Sequence, residues 1–397
     1  MRTKDFNDIL EFGREHRGED VRALALKARA ASGVDLTMGL QQVAGHRIAV
    51  DKLPLWAAND GIVYGPQLSM EQCSSQWTAE YKARLVEGNS LVDLTGGLGV
   101  DFSFMAAGLG HATYVERQEN LCEIARHNFE VLGLKALVVN GDGVEHLQEM
   151  AAVDTIYIDP ARRDKAGNRV FALSDCTPDV SALAPLMLEK AMTVIIKLSP
   201  MLDHRAAVSV LPCVQQVHIV SSRGECKELL LVLKRGYTGG VTVHCVNDSE
   251  TMEFTLGSEN VTAPSFALEE HENAGGDDAL YMYEPNASIM KAGAYNLLAV
   301  RLGLTVMSVD SHVLAGVRLV EDFPGRVMAV EAVGTMNKKD LKSLMAGVER
   351  ANVAVRNFPL RAPELARRLK VKDGGDIFIM GTTTATGKHI LLKMRRV

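Results

Sequence analysis

Apolar residues in the first 85 positions recur at three- and four-residue spacing. The segments "VRALALKARAA" (21–31) and "TAEYKARLVE" (78–87) show this spacing, and turn signals such as "GIVYGPQ" (61–67) separate the segments. Because residues three and four apart lie on one face of a helix, the pattern predicts amphipathic helices. We therefore expect a helical N-terminal domain over residues 1–85.

Short apolar runs alternate with helical patterns from about Ser90 to Gly236. Strands alternating with helices favour right-handed crossovers and a mostly parallel, doubly wound sheet. We therefore predict a Rossmann-like α/β domain over residues 86–236. Its strands are predicted at "SLVDLT", "HATYVE", "ALVVN", "TIYID", "MTVIIKLS", "QVHIVSS" and "ELLLVLKR", with helices near 100–108, 119–132, 143–151 and 180–190.

The pattern changes again after Tyr237. The runs "GVTVHCVN" (240–247) and "TMEFTLG" (251–257) predict an antiparallel hairpin, and the segment 263–279, with Pro, Gly and Asp, predicts a linker. We assign residues 237–279 to this hairpin extension and linker. Helical and strand patterns in 280–323 and 324–397 predict two small α+β modules. Their predicted elements are helices in "ASIMKAGAYNLLAVRLG", "NKKDLKSLMAGVERAN" and "RAPELARRLK", and strands in "RVMAVEAVG", "DIFIMGTT" and "HILLKMR".

The composition fits a cytosolic multidomain protein. The chain has 397 residues, 47% of them hydrophobic, which is enough for two or three cores. A membrane span needs roughly 20 consecutive apolar residues, and we find no such run; the first 20 residues are too charged for a signal peptide. The six cysteines form no C-x-x-C pair, which argues against a disulfide framework and against a zinc site.

Charge is distributed unevenly along the chain. Residues 324–397 hold 15 Lys and Arg against 6 Asp and Glu, a net charge of +9, whereas the preceding 323 residues carry −15. A basic terminal module would suit an enzyme that handles nucleic acid, because Lys and Arg displace the counterions condensed on phosphates. Ordinary surface charge is the alternative.

The glycine-rich segment "LVDLTGGLGVDF" (91–102) follows the first predicted strand of the α/β domain. The strand ends at Asp93, the turn holds Gly96, Gly97 and Gly99, and a helix begins near Asp101. Glycine lets a backbone approach a ligand closely and adopt positive φ, so the turn is a candidate cofactor loop. Glycine turns after strands also occur without ligands.

Acidic residues follow the second and third strands. Glu116 ends "YVE", where such folds bind a ribose diol, and Asp142 follows the third strand, where it would reach an adenine amino group. The alternative for each lone acid is the N-cap of the next helix. Because the carboxyl ends of parallel strands share one edge of the sheet, these acids are expected to lie together near the glycine loop.

The spacing of the glycine motif discriminates between two cofactor types. A dinucleotide favours G-x-G-x-x-G with a helix N-terminus open to the pyrophosphate, whereas this chain has "GGLGVD", with the acid Asp101 where phosphate would approach. The pattern favours a cofactor with a zwitterionic amino-acid tail, S-adenosylmethionine. Asp93 would then receive its ammonium group.

The ordered motifs "DLTGGLGVD", "VER", "GDG" and "IDPARR" resemble those of class I S-adenosylmethionine-dependent methyltransferases. Further segments resemble a bacterial family that joins this domain to a ferredoxin-like module and a C-terminal THUMP-like domain: "EQCSSQWTAEYKA", "KLSPMLD", "ECKELLL", "YEPNASIMKAG" and "GTTTATGKHILL". The resemblance covers most of the chain. It implies that residues 280–323 form the ferredoxin-like module, that 324–397 form the THUMP-like domain, and that the substrate is RNA.

The motif "IDPARR" (158–163) indicates the catalytic position. In amino-methyltransferases of this class, an acid or amide after the fourth strand accepts from the target amine, followed by Pro-Pro and an aromatic. Here Asp159 keeps the acceptor and Pro160 fixes the turn, while Arg162 stands where the aromatic would be. A guanidinium plane stacks on a base or holds a phosphate, so Arg162 or Arg163 would take the aromatic's role on RNA. The alternative is that these arginines pair with nearby acids such as Asp164 or Asp175.

The fifth strand ends at Lys197 and Ser199, which we expect beside Asp159 as substrate-binding residues; a solvated strand end is the alternative. C5-methylation of a pyrimidine needs a cysteine nucleophile, and "KLSPMLD" contains none, so N-methylation is favoured. Gln72, Ser74 and Ser75 are expected near the methionine end of the cofactor, although Ser75 would equally cap a helix.

These observations together predict a cytoplasmic methyltransferase that uses S-adenosylmethionine to methylate a base nitrogen in structured RNA, tRNA or rRNA, without a metal or a membrane. The basic C-terminal domain would contact RNA phosphates. A methyltransferase acting on a protein or small molecule, and a non-catalytic RNA-binding protein, are the alternatives.

Overall fold

The computed structural model describes residues 6–27, 35–162, 173, 176–267 and 280–397. Within these ranges, no helix is long and apolar enough to cross a membrane. The chain divides into two compact units, the first formed by Met1–Val217 with Leu229–Gly239 and the second by His218–Glu228 with Gly240–Val397.

Helices precede the first sheet, and strands and helices then alternate. In chain order, the elements up to residue 234 are α1 (Asn7–Glu15), α2 (Val21–Lys27), α3 (Leu36–Lys52), α4 (Pro54–Ala57), α5 (Gln67–Gln72), α6 (Gln76–Ala83), β1 (Ser90–Asp93), α7 (Val100–Met105), β2 (His111–Glu116), α8 (Glu119–Val131), β3 (Ala136–Asn140), α9 (Gly143–Glu149), β4 (Val153–Ile158), β5 (Ala161–Arg162), β6 (Cys176–Thr177), α10 (Val180–Lys190), β7 (Ala191–Leu198), α11 (His204–Val210), β8 (Val214–Ser222) and β9 (Glu225–Lys234).

The first unit contains the predicted doubly wound sheet. Its strands run in the order β9, β7, β4, β1, β2, β3; all neighbours are parallel except β9, which is antiparallel to β7. The chain first builds outward from β1 through β2 to β3, and β4 then joins the other side of β1. Ligands bind outside the carboxyl ends of strands where the order reverses, so this point defines the crevice. The predicted α/β class and the helical N-terminal region are confirmed.

An aromatic cluster supports the crevice from inside the first unit. Phe102 of α7, Tyr114 of β2 and Phe129 of α8 are almost completely buried, with ring centroids 4.9 to 5.6 Å apart. Burial of aromatic side chains contributes strongly to a core, and offset or edge contacts add to it. The cluster therefore fixes α7 and α8 against the sheet below the glycine loop.

The second unit contains the hairpin and the small modules. Its further elements are β10 (Thr242–Asn247), β11 (Glu250–Thr255), β12 (Tyr281–Pro285), α12 (Ala287–Ala292), α13 (Tyr295–Leu302), β13 (Thr305–Val306), β14 (Leu314–Gly316), β15 (Gly325–Gly334), α14 (Lys338–Leu344), β16 (Asn352–Arg356), α15 (Ala362–Leu369), β17 (Ile377–Thr383) and β18 (His389–Arg396). As predicted, β10 and β11 pair antiparallel. The later strands form one sheet in the order β13, β14, β12, β15, β18, β17, β16.

Two predicted helices differ from the structure, and one observed helix was not predicted. The single helix predicted over 287–303 is two helices, because Gly293 adopts φ +70° and ends α12. The helix predicted over 337–352 is only α14, and the chain re-enters the sheet as β16. Helix α11 was missed; its N-cap Asp203 accepts from the backbone N–H groups of Arg205 and Ala206.

Candidate active site

The glycine loop connects β1 to α7 at the carboxyl edge of the sheet. Gly97 and Gly99 adopt φ +58° and +75°, in the left-handed region that favours glycine. A Cβ on Gly96 would lie 2.1 Å from the Tyr114 ring, so this position also requires glycine. A Cβ on Gly97 would meet nothing nearer than the Thr95 carbonyl oxygen at 3.8 Å, which leaves open space over the loop.

Glu116 contacts the glycine loop directly. One carboxylate oxygen accepts from the backbone N–H of Gly97 at 2.9 Å, and the other accepts from the N–H of Gln118 at 2.9 Å. A carboxylate oxygen accepts more than one hydrogen bond, so these contacts leave acceptor capacity for hydroxyl groups. The structure therefore brings Glu116 and the loop together, as the sequence predicted.

Asp142 caps α9. Its Oδ1 accepts from the N–H groups of Val144 and Glu145 at 2.8 and 3.3 Å, and Oδ2 lies 3.8 Å from a guanidinium nitrogen of Arg117. The capping role weighed as an alternative is thus realised. It also fixes the side chain at the carboxyl end of β3.

Asp93 ends β1 and is only 1% exposed. Its Oδ1 accepts from the backbone N–H of Thr95 at 2.9 Å and from the Thr95 hydroxyl at 3.4 Å. Burial raises the pKa of Asp93 to about 8, since an enclosed carboxyl group resists ionisation. The structure places Asp93 beneath the start of the loop.

Asp159 follows β4 at the same sheet edge and keeps a 40% exposed side chain. Its backbone N–H donates to the Thr95 hydroxyl oxygen at 2.7 Å, which joins it to the glycine loop. Pro160 follows, and the backbone of β5, which includes Arg162, pairs antiparallel with β6. Arg163, with Asp164 and Asp175, lies outside the described residues.

Lys197 lies beside Asp159 because β7 pairs parallel with β4. Its Nζ is 2.8 Å from Asp159 Oδ2, 3.4 Å from Asp101 Oδ2 and 3.2 Å from Ser74 Oγ. The sequence predicted that Lys197 and Asp159 would meet at this edge, and they do. The Ser199 hydroxyl accepts from the N–H of Met201 at 3.3 Å in the following turn.

Asp101 is held inside this cluster of charges. Its carboxylate accepts from the hydroxyls of Ser74 and Tyr157 at 2.9 and 2.8 Å, and Lys82 Nζ lies 3.2 Å from its other oxygen. Burial alone would raise the pKa of Asp101, but the ammonium groups of Lys82 and Lys197 outweigh it and hold the pKa well below its ordinary value. Asp101 is therefore an anion that joins two lysines.

Three residues of this arrangement were missed in the sequence. Lys82 is fully buried, Tyr157 donates to Asp101, and Thr95 bonds to both Asp93 and Asp159. Lys82 carried a usable signal, because it lies three positions after the buried Ala79 and so shares the apolar face of α6. A lysine on that face needs an acidic partner.

The C-terminal basic residues are partly neutralised. Lys393 Nζ lies 3.6 Å from Glu331, and Arg395 pairs with the same carboxylate. Arg367, Arg368, Lys370 and Lys388 are exposed, as is Arg396. Within the described parts of the chain, no group of three or more His, Cys, Asp or Glu is arranged to hold a metal ion.

Three family models match separate parts of the chain. They are described as "Protein-L-isoaspartate(D-aspartate) O-methyltransferase (PCMT)" over residues 59–166, "ferredoxin-like domain" over 281–324 and "THUMP domain-like" over 325–396.

Relatives that match over most of the chain are also found. A crystal structure of a "putative methyltransferase" from Porphyromonas gingivalis W83 is 32% identical, with a TM-score of 0.85 and full coverage of both chains. Proteins of two Mycobacterium tuberculosis strains, CDC 1551 / Oshkosh and ATCC 25618 / H37Rv, are each described as an "Uncharacterized S-adenosylmethionine-dependent methyltransferase". Each is 22% identical over 333 residues, which is 80% of this chain and 84% of the relative.

Proposed function

Because the chain belongs to the family of class I S-adenosylmethionine-dependent methyltransferases with a ferredoxin-like module and a C-terminal THUMP-like domain, we propose that it methylates a base nitrogen in structured RNA, tRNA or rRNA. The family, the enzyme class and the cofactor agree with the sequence predictions and confirm them. The RNA substrate and the role of each site residue belong to the proposal.

The observation that carries the proposal is the fixed position of Asp159. Its backbone bonds to Thr95 of the glycine loop, and its carboxylate contacts Lys197. An acid held at this edge, beside the loop, would accept an N–H of a target amine. Fixing both reactants in a near-attack geometry supplies much of the rate enhancement in such a transfer.

The residues at the edge fit the cofactor. Open space over Gly97 would admit a ligand close to the backbone, and Glu116, whose two oxygens are held by backbone N–H groups, would bind a ribose diol. Asp142, which accepts from the N–H of Val144, would bind the adenine amino group. The proposed cofactor-binding residues are Asp93, Gly96, Gly97, Gly99, Asp101, Glu116 and Asp142.

When bound, S-adenosylmethionine supplies an electrophilic methyl group on sulfur. Asp159 would accept one N–H of the target amine and so direct the nitrogen lone pair toward that methyl. Pro160 would fix the turn, and Arg162 would stack on the base. Arg163 and Ser199 are proposed substrate contacts. Lys197 would act on the substrate either directly or through Asp159.

The charge distribution supports RNA as the substrate class. The net charge of +9 in residues 324–397 contrasts with −15 in the rest of the chain, and phosphate contacts position a nucleic acid without reading its sequence. We propose the five-part division 1–85, 86–236, 237–279, 280–323 and 324–397, with RNA bound by the last part, and a cytoplasmic enzyme that needs no metal.

A protein substrate is the second candidate. The match of residues 59–166 to the protein-L-isoaspartate O-methyltransferase model favours it, since that name describes a protein-modifying enzyme. In that case the basic C-terminal module would serve only as a packing partner. A small-molecule substrate is the further alternative.

Transfer of radiolabelled methyl from S-adenosylmethionine into total RNA, taken from a strain that lacks the gene, tests the proposal. We expect label in one RNA size class, lost with Asp159→Ala and retained with the matched control Asp310→Asn at an exposed position in the second unit. Label in protein instead would favour the second candidate. Absence of label in both RNA and protein would favour a small-molecule substrate.

A further inference from the structure

Lys197 contacts the proposed catalytic carboxylate from the side of the protein interior. Its side chain is 15% exposed, whereas that of Asp159 is 40% exposed. Among the described residues, the ammonium group lies within 3.4 Å of oxygens of Asp159, Asp101 and Ser74. A lysine ammonium has three N–H donors and can therefore bond to several acceptors at once.

The residues behind Lys197 are themselves fixed. Asp101 accepts from Tyr157 and Ser74 and faces Lys82, which has no solvent exposure. The Lys82 ammonium also donates to Ser74 at 3.0 Å. A chain of alternating charges, Lys82, Asp101, Lys197 and Asp159, therefore runs from the core to the crevice.

These four side chains contribute two ammonium and two carboxylate groups. Charges in a poorly solvated site persist when they are paired and hydrogen-bonded, and such pairs are screened less than surface pairs. An isolated carboxylate with 40% exposure would sample several rotamers. An ammonium group anchored on the interior side restricts the carboxylate to one of them.

We propose that Lys197 is a positioning residue: it holds the carboxylate of Asp159 oriented, and Asp101 and Lys82 hold Lys197. The inference rests on the proposed function, in which Asp159 accepts from the target amine. It gives Lys197 a role in the reaction that requires no contact with substrate. Asp101 would then support the catalytic carboxylate in addition to its proposed role in binding the cofactor.

A double-mutant cycle separates positioning from substrate contact. The variants are Asp159→Asn, Lys197→Met and the double variant, with Lys197→Arg as the conservative replacement and Lys227→Met as a control at an exposed position near the start of β9. Single-turnover methyl transfer and calorimetric binding of S-adenosylmethionine are measured for each. If Lys197 acts only through Asp159, the loss of transfer rate in the double variant is smaller than the product of the losses in the two single variants.

We expect Lys197→Met to lower the transfer rate about 100-fold, because a misplacement of about 1 Å has an effect of this size. KM for RNA and Kd for the cofactor should change less than about threefold, and Lys197→Arg should recover part of the rate. The double variant should be no more than about twofold slower than Asp159→Asn. Losses that multiply, or a cofactor Kd weakened about tenfold, would overturn the inference.

A measurement without RNA distinguishes this inference from the proposed substrate. Crystal structures of wild type and Lys197→Met with S-adenosylhomocysteine show whether the Asp159 carboxylate moves. Displacement by about 1 Å or more, or loss of its density, supports positioning even if RNA is not the substrate. An unmoved carboxylate contradicts it, whatever the substrate is.

Discussion

The hydroxyl oxygen of Thr95 accepts a hydrogen bond from the backbone N–H of Asp159, with 2.7 Å between the two atoms. The same hydroxyl lies 3.4 Å from Asp93, so one side chain bonds to the end of β1 and to the residue after β4. The cofactor loop and the proposed catalytic acid are thereby joined. A shift of one is transmitted to the other.

Thr95→Val should lower methyl transfer about tenfold, because it removes the acceptor and leaves a partly buried N–H without its partner. Thr95→Ser keeps the hydroxyl and should retain most of the rate. The check is kcat at saturating cofactor for both variants. A loss of rate in the Ser variant but not in the Val variant would show that the methyl group, not the hydrogen bond, matters.

Gly96→Ala should destabilise the first unit by about 3 kcal/mol, because the added Cβ would lie 2.1 Å from a buried Tyr114 ring and force a shift in packed core. Gly141→Ala is a matched control, since its Cβ meets only a Val139 methyl at 3.7 Å. Both tryptophans of the chain, Trp56 and Trp77, lie in this unit, so urea unfolding followed by tryptophan fluorescence reports its stability. Equal stability of the two variants would contradict this expectation.

Asp93 should make stability depend on pH. Its pKa rises from 3.8 to about 8 on folding, so the folded state binds the extra proton between these values. The free energy of unfolding should therefore fall by about 1 kcal/mol per pH unit as pH rises through this window. Asp93→Asn should remove that slope. The measurement is urea unfolding of wild type and Asp93→Asn at about pH 5 and about pH 7. The same change in the free energy of unfolding between the two pH values for both proteins would exclude the effect.

Lys82→Met should destabilise the first unit by about 3 kcal/mol, because it leaves the buried Asp101 with fewer compensating charges. Adding Asp101→Asn should recover part of this loss, since the unpaired anion is then gone. Urea unfolding of the single and double variants tests the coupling. A double variant as unstable as the sum of the two single variants would contradict it.

The strands and the loop of the first unit were predictable because local pattern determines them. The predicted strands "HATYVE" and "ALVVN" match β2 and β3, and Glu116 is the last residue of β2. Parallel pairing then places every strand's carboxyl end at one edge, so Asp159 and Lys197 were expected together.

The rest of the site depends on contacts between distant segments. Lys82 and Asp101 are 19 residues apart and meet only because α6 packs against α7. The break between α12 and α13 was missed for a different reason, since both helices are apolar on similar spacing and only the backbone angle at Gly293 separates them. Hydrophobic periodicity reports neither the contacts between distant segments nor the backbone angle at one glycine.

The pairing of β12 with β15 has a consequence for how this protein can be recombined with its relatives. β12 lies in the ferredoxin-like match and β15 in the THUMP-like match, and five residue pairs join them, from Tyr281 with Ala329 to Pro285 with Gly325. A chimera that exchanged residues 325–396 alone would have to rebuild a backbone ladder inside a single sheet. The ferredoxin-like and THUMP-like modules therefore share one sheet, and a chimera should exchange both of them together.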